Sequence, residues 1–350
     1  MTIETPDLKP ILHKLALGSL LTSDEAKLAF EIILSGEASE GQIGAFLMAL
    51  RCRGETLDDI YAGASVMRAY ATRVNAPAHA IDTCGTGGDQ SGSYNISTAV
   101  ALVAAASNIP VAKHGNRALS SKSGSSQVLE CLGVRLDLTA SQIEDCLNQV
   151  SIGFLFAPNH HAAMRHVGKV RQELGTRTIF NLLGPLTNPA GAKRQLLGVF
   201  GQEWLEPMAQ TLKRLGSHTA WVVHGSDGMD EITTTGPSDV AILKNGHITR
   251  MTIHPSDFGI PLSNHDALVG GTPEENAQAL KRLLEGETGA YRDIVLLNSA
   301  AAFVIAEQAA DLSQGIKMAQ EVIDSGAAAT TLKNLIAFSQ DRAQENEKNT

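Results

Sequence analysis

Three glycines in a short span form the densest group of residues that could do chemistry. The run Gly85-Thr86-Gly87-Gly88-Asp89 follows a strand expected at Ile81 to Thr83, and Asn95 to Thr98 stands where a helix is expected to begin. Glycine leaves backbone N–H groups open to an anion and adopts positive φ freely. A helix start adds further unpaired N–H donors. The pattern predicts a phosphate cradle, and a tight strand-to-helix turn is the alternative.

The cradle differs from two familiar glycine-rich motifs. Gln90 occupies the position of the third glycine of a dinucleotide fingerprint, and Ser93 stands where a Walker loop needs lysine. The segment therefore indicates phosphate binding without either of those nucleotide motifs.

A second donor-rich segment follows the next expected strand, Pro110 to Lys113. It contains Lys113 to Arg117 and the serine-rich stretch Ser120 to Ser125. A lysine at a strand end is a point charge suited to pyrophosphate, and serines with glycine add donors without bulk. Because ligands of open α/β sheets bind at the carboxyl ends of strands, both segments would face one crevice. Taken singly, Lys113 and Arg117 are also typical of solvated charges.

An acidic turn supplies a candidate metal site. Asp227 to Glu231 follows an apolar strand expected at Thr219 to Val223, and the adjacent carboxylates Asp230 and Glu231 could hold a hard cation. Mg²⁺ commonly joins one or two carboxylates to substrate phosphates. Together with the cradle, the turn predicts a metal-phosphate substrate. An acidic surface turn is the alternative, and the spacing matches no EF-hand loop.

A basic segment, His160 to His166 continuing to Arg171 and Arg177, offers a surface for an anionic acceptor. The helix expected over His160 to Leu174 would place several of these side chains on or beside one face. The segment lacks the H-E-x-x-H zinc pattern. We select His161 and Arg171 as candidate contacts and expect most of the other side chains to be structural.

The elements that position these residues are of two kinds. From residue 7 to about 74 the pattern is helical, with capping boxes at Thr22 and Ser39. Val74 to Ala80 is typical of a linker. Beyond it, strands, loops and helices alternate, which indicates a mostly parallel sheet flanked by helices. Asn245-Gly246 predicts a hairpin between two later strands.

Composition excludes several classes of protein. The chain has 350 residues, 43% of them hydrophobic and 19% charged, so a folded globular protein is expected rather than a disordered one. The net charge of −9 argues against broad nucleic-acid binding but permits a local basic pocket. The longest uncharged stretch is too polar for a membrane span. Glu4 and Asp7 stand where an export signal would need basic residues, so a cytoplasmic protein is expected.

Covalent catalysis is not indicated. The four cysteines form no C-x-x-C pair, which favours reduced thiols over a zinc site or a disulfide framework. No G-x-S-x-G elbow occurs. We therefore assign no catalytic nucleophile and no general base.

Taken together and in order, these motifs resemble the anthranilate phosphoribosyltransferase family. The likeness rests on Gly85 to Asp89, Asn95 to Thr98, Lys113 to Arg117, Ser120 to Ser125, Arg165-His166-Val167, Arg171, Asn181 to Pro189 and Asp230-Glu231, and it covers about residues 10 to 340. It implies an α/β fold of the nucleoside phosphorylase/phosphoribosyltransferase type, with a small N-terminal helical domain and a larger α/β domain with a mostly parallel central sheet. The expected domains are 1–75, with a contribution from about 168–190, and 78–165 with 191–345.

The resemblance also implies a reaction. The phosphoribosyl group of 5-phosphoribosyl 1-pyrophosphate (PRPP) would pass to the amine of anthranilate, giving N-(5-phosphoribosyl)anthranilate and pyrophosphate, in tryptophan biosynthesis. Implied partners are these two small molecules, Mg²⁺ as cofactor and a second copy of the chain in a homodimer, with no nucleic acid and no membrane.

The resemblance assigns binding roles to individual residues. The implied substrate-binding residues are Gly85, Gly88, Asp89, Ser93, Asn95, Ile96, Ser97, Thr98, Lys113, His114, Gly115, Asn116, Arg117, Ala118, Leu119, Ser120, Ser121, Ser125, His161 and Arg171. Of these, Asn116, His161 and Arg171 would contact anthranilate. Ser97, Asp230 and Glu231 would hold Mg²⁺.

One departure from the family and two alternative functions complete the prediction. The family commonly continues the serine stretch with Ala-Asp, whereas this chain has Ser126-Gln127. Losing a carboxylate near a helix N-terminus predicts a local change in loop or helix stability. A nucleoside phosphorylase would share the architecture but need a nucleobase pocket and free phosphate. A noncatalytic nucleic-acid-binding relative would need a strongly basic surface.

Overall fold

A bundle of four helices begins the structure. The computed structural model describes residues 7–89, 91–118 and 122–348. The bundle helices are α1 (Lys9–Ala16), α2 (Ser23–Ser35), α3 (Glu40–Arg53) and α4 (Leu57–Tyr70). Thr22 and Ser39 each accept a hydrogen bond from the third helical residue, whose side chain bonds back to the cap N–H. These capping boxes are confirmed, and they satisfy N–H groups that a helix start otherwise leaves unpaired.

A seven-stranded sheet forms the centre of the rest of the chain. Its strands are β1 (Ile81–Gly85), β2 (Val111–Gly115), β3 (Ile152–Phe156), β4 (Arg194–Gly198), β5 (Thr219–Gly225), β6 (Ser238–Lys244) and β7 (His247–Ile253). They lie in the order β3-β2-β1-β4-β5-β6-β7. The first five run parallel, and β6 and β7 are antiparallel. Asn245 and Gly246 both have positive φ between β6 and β7, so the predicted hairpin is confirmed.

Helices cover both faces of this sheet. The remaining described helices are α5 (Ile96–Ala106), α6 (Ser125–Cys131), α7 (Ala140–Val150), α8 (Ala157–His160), α9 (Arg165–Leu174), α10 (Ile179–Leu183), α11 (Leu205–Arg214), α12 (Pro273–Leu284), α13 (Ala290–Ile305), α14 (Leu312–Asp324) and α15 (Ala327–Lys348). Successive residues Leu196 and Leu197 of β4 enter different hydrophobic cores, as strand pleating requires. The alanine-rich α5 packs against β1, α13 and α15, which fixes its start beside the end of β1.

The connector between β3 and β4, residues 157–193, leaves the sheet and packs on the bundle. Helix α9 contacts α2 and α3, and α10 contacts α3 and α4. Phe180 of α10 meets Phe30 of α2 edge-on, with ring centroids 6.0 Å apart. The bundle therefore shares its core with the connector.

The helix predicted over His160 to Leu174 is wrong at its start. Helix α8 begins directly after β3 and ends at His160, and the chain leaves helical geometry at His161, where φ is −117° and ψ is 60°. A short 3₁₀ turn then leads into α9 at Arg165. The His161 side chain hydrogen-bonds the carbonyl of Thr187, so a tertiary contact takes the place of helical continuation.

The predicted fold class is confirmed: a small N-terminal helical domain is joined to a larger α/β domain with a mostly parallel sheet. Within the described ranges, no helix combines the length and the apolar character that crossing a membrane requires.

Candidate active site

A cavity of about 780 Å³ opens at the carboxyl edge of the parallel strands. The cavity lies where the strand order reverses, between β1 and β4. Strands β2 and β3 are added on one side of β1, and β4 and all later strands are added on the other side. Ligands of open α/β sheets bind at such a position. Gly85 and Gly198 end β1 and β4 side by side. A Cβ on either glycine would collide with Asp230, so their small size lets the acidic turn sit on the strand ends.

The glycine-rich loop is held by backbone contacts. The N–H of Thr86 donates to the carbonyl of Gly198 at 2.9 Å, and the N–H of Gly87 donates to Asp230 Oδ2 at 2.8 Å. Gly87 and Gly88 have φ values of 63° and 71°, which side chains rarely permit. The loop and the acidic turn are thus built as one unit.

The second half of the loop is tied to a distant segment. Ser93 pairs with Val269 in an isolated antiparallel bridge, and the N–H of Gly270 donates to the carbonyl of Gly92 at 2.8 Å. These contacts lead the chain to Asn95, the residue before α5. The start of α5 therefore faces the cavity that the glycine loop borders.

Lys113 lies under the cradle. It is 2% exposed, and its ammonium donates to the carbonyl of Thr83 at 2.6 Å and to Ser97 Oγ at 3.3 Å. Desolvation lowers its pKa, and the nearby carboxylates, among them Asp82 and Glu231, oppose that shift. Lys113 is therefore a buried cation on the cavity wall that anchors the start of α5, and not the solvated charge that was the alternative.

Asp230 and Glu231 are partly buried at the base of the cavity. Desolvation, followed by the neighbouring Asp89 carboxylate, raises the pKa of Asp230 to about 7. Desolvation and Asp230 raise the pKa of Glu231 well above its usual value, while Lys113 and the N–H of Ser97 act in the opposite direction. Crowded carboxylates with so little positive charge nearby favour a bound cation.

This corner fits Mg²⁺ bound jointly with a phosphate. Among the residues that the structure describes, no three His, Cys, Asp or Glu side chains are arranged as a metal site on their own. Asp230, Glu231 and the Ser97 hydroxyl are hard oxygen donors on one cavity wall. Mg²⁺ prefers oxygen ligands and usually keeps positions for water and substrate phosphates. A magnesium ion here would need substrate oxygens to complete its coordination.

Asp82 organises a buried polar network beneath the cavity. Its Oδ1 accepts the N–H of His114 at 3.1 Å, and its Oδ2 accepts Asn188 Nδ2 at 2.8 Å and Gln195 Nε2 at 3.3 Å. Desolvation raises the pKa of Asp82, and Lys113 and these hydrogen bonds oppose that shift. The network joins β1, β2, β4 and the end of the connector.

Two neutral histidines line the other end of the cavity. His114 and His161 have ring centroids 5.2 Å apart. Desolvation lowers the pKa of His161 to about 4 and that of His114 well below its usual value. The rings bond the backbone carbonyls of Gly184 and Thr187, and among the described residues neither buried Nε2 has a hydrogen-bond partner. Both imidazoles are uncharged at pH 7 and retain a free ring nitrogen.

Arg171 is a cation at this same end. It lies on α9, with its guanidinium 5.5 Å from the centroid of the Phe180 ring. Desolvation lowers its pKa, although a guanidinium remains charged at any ordinary pH. Over the described ranges, its side chain has no carboxylate or hydrogen-bond partner. An unpaired guanidinium beside neutral rings suits a small carboxylate ligand.

Two family models cover most of the chain. A helical bundle domain of a glycosyl transferase family matches residues 9–71, and an a/b domain of a glycosyl transferase family matches residues 77–329.

Two curated relatives of high sequence identity are both named anthranilate phosphoribosyltransferase. The anthranilate phosphoribosyltransferase of Parvibaculum lavamentivorans is 58% identical over 331 residues, which cover 95% of this chain and 97% of that protein. The enzyme of the same name from Azospirillum brasilense is 58% identical over 332 residues, covering 95% and 93%. The chain belongs to the anthranilate phosphoribosyltransferase family. The family resemblance inferred from the motifs is confirmed.

Solved anthranilate phosphoribosyltransferases share this fold. The crystal structure of the Thermus thermophilus enzyme matches with a TM-score of 0.89 at 44% identity, covering 94% of this chain and 99% of that one. The Saccharomyces cerevisiae enzyme in complex with PRPP and Mg matches with a TM-score of 0.88 at 28% identity, covering 95% and 98%. The same yeast enzyme has been solved with 4-fluoroanthranilate.

Most binding residues predicted from the family lie on the cavity wall. These are Gly85, Gly88, Asp89, Ser93, Asn95, Ile96, Ser97, Lys113, His114, Gly115, Asn116, Arg117, Ala118, Ser125, His161, Arg171, Asp230 and Glu231. Thr98 lies behind the wall, 1% exposed, with an unpartnered hydroxyl. Leu119, Ser120 and Ser121 lie outside the described residues. The substrate that each residue binds stays a prediction.

Other wall residues were not selected from the sequence. Asn181, Gly184 and Pro185 of the connector line the cavity, and they fall in the Asn181 to Pro189 segment that carries part of the family likeness. The family likeness of this segment could therefore have been used to predict these three residues from the sequence. Met67 of α4 also lines the cavity, but it occupies an ordinary apolar helix position that only packing against the connector brings to the site.

Gln127 explains how the chain tolerates its departure from the family pattern. It is the third residue of α6, and its Oε1 accepts the N–H of Gly124 at 3.1 Å and the N–H of Ala118 at 3.2 Å. The neutral amide thus provides a capping acceptor, although not the negative charge of an aspartate. The same side chain anchors Ala118 on the cavity wall.

Proposed function

We propose that this cavity joins PRPP to anthranilate and releases N-(5-phosphoribosyl)anthranilate and pyrophosphate, as a step of tryptophan biosynthesis. One observation supports it above the others: a single cavity has a phosphate cradle with two carboxylates at one end and an unpaired arginine beside neutral histidines at the other. The first end suits a metal-bound pyrophosphate. The second suits a small aromatic acid. The yeast relative solved with PRPP and Mg, and with 4-fluoroanthranilate, supports the same substrates.

The donor binds at the cradle. The backbone N–H groups of Gly88 and Asp89 donate to its phosphates, since those of Thr86 and Gly87 already bond Gly198 and Asp230. Lys113 adds positive charge from below, where it is fixed by Thr83 and Ser97. The described residues on either side of the next loop, 115–118 and 123–125, complete the donor site with hydroxyl and backbone groups.

Ser97, Asp230 and Glu231 are the residues that would hold Mg²⁺. The ion, when bound, supplies positive charge to the oxygens of the departing pyrophosphate. The two carboxylates are already clustered and short of cations, so they are prepared for an ion that arrives with the substrate.

The acceptor binds at the histidine end. Arg171 pairs with the carboxylate of anthranilate, and Asn116 and His161 contact the rest of the molecule. Since both nearby imidazoles are neutral, they add no positive charge, and Arg171 supplies it to an acid at this end. This arrangement favours one orientation, with the amine directed toward the donor.

Positioning is the main source of catalysis. The amine nitrogen of anthranilate forms a bond to C1 of the ribose as the bond from C1 to the pyrophosphate oxygen breaks, and the nitrogen then releases one proton to solvent. An aromatic amine is neutral and nucleophilic at pH 7, so no strong base is required. Holding two reactants in register can lower a barrier by roughly 7 to 11 kcal/mol.

Domain boundaries, assembly and location are part of the same proposal. The predicted domains are 1–75 with about 168–190, and 78–165 with 191–345; the packing of α9 and α10 on the bundle supports the discontinuous division. A homodimer through the helical domain is supported by Leu17 and Leu20, which are 70% and 62% exposed. A second copy packed against these two leucines would remove their apolar surface from water. A biosynthetic enzyme of this kind acts in the cytoplasm.

The test is the fluorescence of anthranilate mixed with protein, PRPP and Mg²⁺, with each component omitted in turn. We expect a decay that requires all of them, with pyrophosphate released in equal amount. No decay from protein with a cooperative unfolding transition would contradict the proposal. Phosphorolysis of uridine or thymidine under the same conditions would indicate a nucleoside phosphorylase instead.

A further inference from the structure

Arg177 is a cation beside the phosphate cradle that no role described above uses. It lies in the connector between α9 and α10 and is half-buried. Its guanidinium stacks on Phe200, 4.3 Å from the ring centroid. A Cβ placed on Gly88 would lie 3.5 Å from Arg177 Cδ and 3.8 Å from Cγ. The arginine stem therefore rests on the glycine loop itself.

The guanidinium has no partner within the described ranges, where it forms no ion pair and no hydrogen bond. Two buried arginines elsewhere show the usual arrangement: Arg53 pairs with Asp59, and Arg292 pairs with Asp324 at 2.6 Å. Arg177 is half-buried rather than buried, so water reaches part of its guanidinium, but no carboxylate of the described structure neutralises it. Five N–H donors without acceptors, in a chain with a net charge of −9, indicate that a bound anion supplies the acceptors.

The stack on Phe200 pre-organises this cation. The N–H of Phe200 donates to Thr86 Oγ1 at 3.1 Å, so the ring that carries Arg177 is tied to the same glycine loop. A planar guanidinium held flat against a ring keeps its N–H edge available and suits bidentate binding of phosphate. The glycine loop, the Phe200 ring and the Arg177 side chain therefore form one continuous surface.

We propose that Arg177 is a further binding residue for the phosphoribosyl donor, whose guanidinium donates to phosphate oxygens held at the backbone of Gly88. This inference rests on the proposed function, because it takes the glycine loop as the phosphate cradle. It assigns Arg171 and Arg177, six residues apart, to different substrates: one to the carboxylate of the acceptor and the other to a phosphate of the donor.

The test compares two stacked arginines. Arg177→Met keeps an unbranched apolar stem against Phe200 and Gly88 but removes the charge. Arg214→Met is the matched control, because Arg214 also stacks on an aromatic ring, that of Tyr61 at 3.9 Å. Arg214 pairs with Asp58 and does not line the cavity. Arg177→Lys keeps the charge and loses the planar fork. The probe is inorganic pyrophosphate with Mg²⁺, titrated by calorimetry into each full-length protein.

We expect pyrophosphate to bind Arg177→Met about ten- to a hundredfold more weakly than wild type, because a charge-assisted contact is lost. Arg177→Lys should recover part of this loss, and Arg214→Met should match wild type. In turnover, KM for PRPP should rise in Arg177→Met while KM for anthranilate stays within about twofold.

Wild-type affinity in Arg177→Met, with only its melting temperature lowered, would overturn the inference and leave Arg177 a packing residue. If Arg177→Met lacks a cooperative unfolding transition, Arg177→Lys decides: we expect about three- to tenfold weaker binding, and equal affinity would contradict the inference. Failure of the proposed function is a different result, namely wild-type protein that binds pyrophosphate but consumes no anthranilate.

Discussion

The two ends of the cavity are built in different ways. The donor end stands on strand ends, and its buried charges have protein partners: Lys113 bonds Thr83 and Ser97, and Asp230 accepts the N–H of Gly87. The acceptor end depends on side chains of the connector, where Arg171 has no partner in the described structure and the buried Nε2 of His161 has none either. The donor end is therefore fixed largely by the protein's own contacts, with Arg177 as the exception, and the acceptor end leaves its polar groups for the ligand.

This difference has a physical origin. Phosphates are recognised by backbone N–H groups, which require a fixed chain path and small residues such as Gly85 and Gly198 where the acidic turn approaches. A small aromatic acid is recognised by side chains. Helix α9 packs on the helical bundle, so its side chain Arg171 stands apart from the cradle, whereas Arg177, after α9, lies against it. Changes at the two ends should therefore have separate effects.

The largest effect is expected from the donor end. The double substitution Asp230→Asn, Glu231→Gln removes both carboxylates that would hold Mg²⁺ and should lower kcat by about 10²- to 10³-fold, since charge on the leaving pyrophosphate loses its stabilisation. Initial rates over a range of Mg²⁺ concentrations measure this. An unchanged Mg²⁺ requirement in the double variant would show that the metal binds elsewhere.

A substitution beneath the donor end should act on stability. Asp82→Ala removes the acceptor of the His114 N–H and one acceptor each from Asn188 and Gln195, and it takes from Lys113 one of its two nearby carboxylates. Breaking a buried charge network of this kind lowers the free energy of unfolding by about 3 to 5 kcal/mol. Urea unfolding of the two proteins, with Asp82→Asn as the isosteric control, gives the value. A loss below about 1 kcal/mol would mean that the network contributes little.

Removing Arg171 should affect the acceptor alone. Arg171→Ala deletes the partner of the anthranilate carboxylate, so KM for anthranilate should rise about ten- to a hundredfold. Aniline, which lacks the carboxylate, provides the control substrate. Its slow turnover should be the same in wild type and variant, and an equal loss with aniline would assign Arg171 a role other than carboxylate binding.

The smallest effect is a pH dependence at the acceptor end. His161 has an ordinary pKa of 6.5 that falls to about 4 in the folded protein, so between these values the unfolded chain binds more protons. Stability contributed by the neutral ring is therefore complete above about pH 6.5 and is lost as the pH falls toward 4, with a slope of up to about 1.4 kcal/mol per pH unit. Urea midpoints at pH 5 and pH 7.5 should differ less in His161→Gln than in wild type. An identical pH difference in both proteins would show that His161 is charged when folded.

Much of the donor end was predictable because its signals are local. The glycine run, the start of α5 and the Asn245-Gly246 hairpin each depend on neighbouring residues, and the capping boxes at Thr22 and Ser39 do too. The acceptor end was less predictable. Its geometry depends on the break at His161, which a hydrogen bond to the distant Thr187 carbonyl accompanies, and on Met67, which arrives by packing.

Long-range polar networks were not predictable at all. Asn188 is 106 residues from Asp82, and its amide also donates to the carbonyl of Ala112. Nothing in the local sequence of Asn188 indicates a buried partner. The Gln127 cap is similar: the sequence shows that a neutral residue stands at the start of α6, and the predicted change in local stability stays a prediction, but the bonds to Gly124 and Ala118 required the fold.

The most direct test of separate ends is the affinity for PRPP with Mg²⁺, measured by calorimetry in wild type, Arg171→Ala and the Asp230→Asn, Glu231→Gln variant. We predict that Arg171→Ala binds PRPP within about twofold of wild type, because its charge serves the acceptor, while the double variant binds at least tenfold more weakly. A comparable loss of PRPP affinity in both variants would contradict the division of the cavity into a donor end and an acceptor end.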